Sequence, residues 1–89
     1  MTDSWLLKIE PKARKQLAKL DPHVERKVLL ALSELSRTDN PVEHCEQLRG
    51  NFRGLYKFRI QNLRAVFDIV IREHTIEVVR VGWRKDVYD

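Results

Sequence analysis

The chain has one cysteine, no long apolar run, no repeat and no low-complexity segment. The single thiol, Cys45, excludes an internal disulfide and fits a reducing cytosol, so a cytoplasmic location is expected. No apolar stretch approaches the roughly 20 residues that a membrane span requires, so no membrane association is expected. The opening residues, MTDSWLLKIEPK, lack a basic region and hold only a short apolar run, which argues against a secretory signal. Three scattered histidines and one cysteine do not have metal-ligand spacing, and no motif implies a cofactor. One further absence is local: no acidic residue lies between Gln47 and Phe67.

What is present is an ordinary globular composition with a basic bias. At 89 residues, 34% charged, the chain reads as one domain over residues 1–89. A domain of that size buries roughly 60 to 65% of its unfolded surface, enough for one core. The net charge of +4 and pI near 9.5 favour an anionic partner without naming its class.

The order of elements is strand, two helices, then strands. Trp5 to Ile9 suits a first strand. Pro11 opens a helix in which Ala13, Leu17 and Leu20 recur at helical spacing. Asp21-Pro22 stops it and starts a second, the aspartate as N-cap and the proline in the first turn. That helix runs to about Ser36 with Val24, Val28, Leu32 and Leu35 on one stripe, which Leu29, Leu30 and Ala31 widen. Thr38 to Pro41 is turn chemistry, and Val42 to Asn51 reads as a connecting loop with a turn of helix. Leu55 to Ile60 and Leu63 to Ile71 flank Gln61-Asn62, and Ile76 to Val81 is a further β-rich run.

If Gln61-Asn62 is a two-residue hairpin loop, Ile60 faces Leu63, Arg59 faces Arg64, Phe58 faces Ala65 and Lys57 faces Val66. One face then collects Tyr56, Phe58, Ile60, Leu63, Ala65, Phe67 and Ile69 as core. The other carries Leu55, Lys57, Arg59, Arg64, Val66 and Asp68. Arg59 opposite Arg64 costs stability unless an anion lies between them. Arg49 and Arg53 extend the positive run before the hairpin, and Trp83, Arg84, Lys85 and Tyr88 add to it beyond the last strand. The competing reading is a solvated basic surface.

The succession LRG, GLYKFRI, LRAVFDI and VVRVGWRKDVY, after the helical stretch KIEPKARKQLAKLDPHVERKVLLALSEL, resembles the RelE/ParE toxin superfamily, and within it the RelE-type mRNA interferases of type II toxin–antitoxin systems. The resemblance implies an α+β fold of order β-α-α-β-β-β, a helical hairpin on a mostly antiparallel four-stranded sheet. It implies a ribosome-dependent endoribonuclease that cuts mRNA in the A site. It also implies a separately encoded RelB-like antitoxin that forms a hetero-oligomer with the toxin. The family's site positions fall on Lys57, Arg59, Arg64, Arg84 and Tyr88, with Arg49 a further family position. Arg53, Trp83 and Lys85 join Arg49 as candidate RNA contacts. Arg59 stands where lysine is common in relatives, and Trp83 where a polar or basic residue is common.

Cleavage through the RNA 2′-hydroxyl needs a proton acceptor, charge to stabilise the phosphorane and a proton donor for the leaving 5′-oxygen. The cations supply charge. Tyr88 or Lys57 is the candidate base, Tyr88 alternatively a stacking platform, and Arg84 the acid that the resemblance suggests. His23, His44 and His74 fall at a helix start, in a loop and in a turn, away from the cluster. Cys45 reads as a bystander, Trp5 as packing for the first strand, and Asp68 as an electrostatic partner of Arg64. Two other functions compete: a ParE-like inhibitor of DNA gyrase that acts by binding, and an inactive RNA-binding or antitoxin-sequestering module. The cation pattern and Tyr88 weigh against the gyrase reading.

Overall fold

A computed structural model describes residues 4–48 and 54–83. The elements run β1 (Leu6–Ile9), α1 (Pro11–Ala18), α2 (Pro22–Ser36), a short 3-10 helix (Pro41–His44), β2 (Glu46–Gln47), β3 (Tyr56–Ile60), β4 (Leu63–Val70), a 3-10 turn (Ile71–Glu73) and β5 (Thr75–Trp83). The sheet order is β1-β5-β4-β3-β2, with β1 parallel to β5 and every other pair antiparallel. The sheet therefore has five strands, one more than the four expected. The addition is β2, which lies in the stretch read as a loop. Two residues are too few to display an alternating pattern, and β2 forms because the edge of β3 offers unpaired backbone groups. Its pairing continues in the bond from Leu48 N–H to Leu55 O at 2.9 Å.

Both helices begin at proline, as the missing amide of that residue permits. Asp21 holds the N-cap position of α2, but its carboxylate makes no capping bond. Its backbone carbonyl instead accepts from the amides of Val24 and Glu25 at 2.9 Å each. Ala13, Leu17, Val28, Leu32 and Leu35 descend from the helices onto Leu63, Ala65, Phe67, Ile76, Val78 and Val81 of the sheet, and this is the core. Leu29 and Leu30 do not widen the buried stripe of α2. They are 38% and 57% exposed, because the helix turns them past the sheet and past the short α1.

The hairpin register is the expected one at every pair from Tyr56 opposite Phe67 to Ile60 opposite Leu63. Gln61 makes the turn at φ 56°, a left-handed conformation that costs a non-glycine residue roughly 1–2 kcal/mol. Two devices on β5 were not expected. The register shifts between Val66 and Phe67, which face Arg80 and Val78, so Val79 is an extra residue on the β5 side. Beyond the end of β1, the amide of Val81 donates to Gln16 Oε1 of α1 at 2.8 Å, a side chain standing in for a missing strand. Trp5 stacks on His74, ring centroids 3.9 Å apart, and so fastens the start of β1 to the β4–β5 turn.

Candidate functional site

Directly opposed residues share a face of a sheet, and the register assembles the face away from the helices in rows. Arg59, Arg64 and Gly82 form the row nearest the hairpin tip. Glu46, Lys57, Val66 and Arg80 form the next. Farther along, Asp68, Glu77 and Lys8 form a third, more acidic row. Lys57, Arg59 and Arg64 are thus brought together as the sequence suggested. Arg49, Arg53, Arg84, Lys85 and Tyr88 lie outside the described residues.

Two members of the face were missed by the sequence reading. Glu46 comes from the unforeseen strand β2, and its Oε2 sits 3.0 Å from Lys57 Nζ. Arg80 comes from the bulge. Strict alternation from the core residue Val78 would turn Arg80 toward the helices and Val81 away, whereas the extra Val79 reverses both. The signal available in advance was the arginine itself: a charged residue in core phase on a β-rich run points to a bulge.

Arg64 is 6% exposed, and Nη1 donates to the carbonyls of Gln61 at 3.0 Å and Leu63 at 2.9 Å. These bonds hold the guanidinium against the hairpin tip and use Nη1 alone of its nitrogens, so the group is positioned before any ligand arrives. They also explain how Arg59 and Arg64 tolerate direct opposition: one is turned back onto backbone acceptors, and the other is exposed. Asp68 lies four positions along the strand from Arg64, about 13 Å away, and the Arg64 guanidinium turns instead toward the hairpin tip. Among the described residues the anion near these cations is Glu46. Its hydrogen bond and charge interaction with Lys57 hold its carboxyl below the usual range, with Arg59 and Arg64 adding to the effect.

Trp83 takes a different side. It pairs with Leu63, a core residue, and lines a cleft of about 230 Å³ with His23, Lys27, Gln61 and Asn62 at the hairpin tip. His44 lines a second, more apolar cleft with Leu35 and Phe58, and His74 is stacked on Trp5. Burial pushes the Cys45 thiol up to about 12, and its Sγ contacts Pro41 O at 3.3 Å, so it is an unreactive packing residue. No group of histidine, cysteine or acidic side chains with metal-binding geometry occurs among the described residues. Nor is any described helix long and apolar enough to cross a membrane.

Two helices on one face of a mixed five-stranded sheet make the RelE-like fold. A family model described as the ParE toxin of type II toxin–antitoxin systems, parDE, matches residues 7–88, and the chain belongs to that family within the RelE/ParE superfamily. The fold is similar to that of the RelBE2 toxin–antitoxin complex of Mycobacterium tuberculosis, with TM-score 0.83, 26% identity, and coverage of 97% of this chain and 98% of that one. It is also similar to the archaeal RelE–RelB complex of Pyrococcus horikoshii, with TM-score 0.74, 21% identity, and coverage of 96% and 100%. The intact RelBE complex of E. coli gives TM-score 0.73, 22% identity, and coverage of 90% and 96%. No curated protein matches the sequence.

Proposed function

We propose that the protein is the toxin of a type II toxin–antitoxin system and acts as a ribosome-dependent mRNA endonuclease. The observation that carries this reading is the pair of rows Arg59–Arg64 and Lys57–Arg80, four cations on one sheet face with a carboxylate at their edge. The RNA 2′-oxygen attacks the adjacent phosphorus, the bond to the 5′-oxygen breaks, and a 2′,3′-cyclic phosphate and a 5′-hydroxyl result. Arg64, fixed by two carbonyls, and Lys57 stabilise the negative charge that builds on the phosphorane. Glu46, ionised at neutral pH, accepts the 2′-hydroxyl proton. Arg84, the acid that the family resemblance suggests, donates the proton to the leaving oxygen. A carboxylate with a lowered pKa is a weak base, so the chemistry leans on orientation, and the ribosome supplies it.

The toxin–antitoxin complexes among the similar structures support a RelB-like antitoxin as partner, an acidic segment of which would cover the cation face. Primer extension on mRNA in a purified translation system tests the nuclease reading. Cuts within A-site codons that require both the ribosome and Arg64 are the expected result. The ParE description of the matching family favours a second reading, inhibition of DNA gyrase by binding. Intact mRNA together with blocked gyrase supercoiling would replace the first reading with that one.

A further inference from the structure

The cleft at the hairpin tip lies on the helix side of the sheet, and the proposed cleavage chemistry does not use it. His23 and Lys27 are four residues apart on α2 and therefore share one helix face. The opposite wall is Trp83, 45% exposed although it ends a strand whose other apolar residues are largely covered. Gln61 and Asn62, two residues with side-chain amides, line the rim, and among the described residues no carboxylate lines the space.

We infer that this cleft binds one nucleotide of single-stranded RNA, its base on the Trp83 ring and its phosphate on Lys27. An exposed indole offers the face on which any base stacks. Side-chain amides match the mixed donors and acceptors of a base edge, and an ammonium without a lining carboxylate takes a phosphate. The volume of about 230 Å³ is below the range of roughly 300–1,000 Å³ typical of larger ligands, which suits a single base. Gln61 belongs to both sites: it lines the cleft, and its carbonyl accepts from Arg64 at 3.0 Å. A strand crossing the tip can therefore leave a phosphate beside Arg64 and seat a neighbouring base against Trp83. The inference rests on RNA being the substrate.

The test is a ¹H–¹⁵N titration of the whole protein with adenosine 5′-monophosphate, adenosine and inorganic phosphate, following the Trp83 indole N–H and the Gln61 and Asn62 side-chain amides. The monophosphate should shift all three signals saturably, and more tightly than either fragment. Trp83→Leu should weaken binding about tenfold or more. Lys27→Gln, a surface change that leaves the core intact, should reduce the preference for the monophosphate over adenosine. Absent saturable shifts, equal affinity for inorganic phosphate, or unchanged affinity in Trp83→Leu would overturn the inference. Ribosome-dependent cleavage is measured in parallel. Cleavage without nucleotide binding removes the cleft assignment alone, and nucleotide binding without cleavage removes the nuclease proposal alone.

Discussion

At the scale of single residues, the cation face depends on how each charge is held. Arg64 has its position set by two backbone carbonyls that share Nη1, and a lysine ammonium on the same carbonyls lacks the further guanidinium N–H groups that would face a phosphate. Arg64→Lys should therefore fold but cleave ribosome-bound mRNA more slowly by roughly 10²–10³, the usual cost of losing one preorganised donor. Primer-extension time courses measure it, and wild-type rates in the lysine variant would refute the positioning role. Glu46→Gln should slow cleavage by roughly 10²-fold or more, as loss of a general base does. The same change has a thermodynamic signature. Glu46 ionises at lower pH in the folded protein than in the unfolded chain, so its ion pair contributes fully above the ordinary carboxylate range. That contribution disappears as pH falls through the lowered value. Urea midpoints between about pH 3 and 6 should show a shallower acid decline for Glu46→Gln than for the parent protein.

At the scale of elements, irregularities shape the site more than ideal strands do. The extra Val79 turns Arg80 outward and Val81 inward, and Gln16 of α1 then satisfies the Val81 amide where β1 has ended. Replacing Gln16 with leucine keeps a similar volume but leaves that amide without its acceptor. The expected loss is about 1–3 kcal/mol in urea unfolding. A loss near zero would mean that solvent reaches the amide and that the side chain is not a strand surrogate. Gly54, just before β3, adopts φ 92° with open space around its missing Cβ, so alanine there meets backbone strain and no clash. Gly54→Ala should cost about 1–2 kcal/mol. Because that chain leads into the Lys57 strand, a loss of cleavage larger than the loss of stability would place Gly54 among the residues that aim β3.

At the scale of the whole molecule, one sheet face is divided by charge. Cations occupy the hairpin end, while Asp68 and Glu77 stand opposite each other at the far end. Glu77 there has a raised pKa, chiefly through a hydrogen bond with Glu10. That pair works in the opposite sense to Glu46: the bound proton stabilises the fold below the ordinary glutamate range, and its contribution is lost as pH rises through the raised value. For a polyanion, the division selects which end it approaches. Single-stranded RNA binding should weaken with salt, and Arg59→Gln should reduce the log–log slope by about 0.7, one phosphate contact. An unchanged slope would take Arg59 out of the phosphate path.

The helices, the hairpin register and the core face were legible in the sequence because each rests on a short-range period: near four for Ala13 and Leu17 or Val28 and Leu32, two for Phe58 and Ile60 or Leu63, Ala65 and Phe67. The grouping of Lys57, Arg59 and Arg64 followed from the same alternation. Glu46 was not legible, since a two-residue strand has no period and exists only through the edge that it pairs with. Arg80 was hidden by the residue that breaks the alternation, and the location of Trp83 beside His23 and Lys27 joins segments far apart in the chain. Local patterning determined which side chains a strand presents to each face. Only tertiary packing decided which carboxylate meets the cations and which cleft receives the indole, because those contacts arise between elements that no local pattern links.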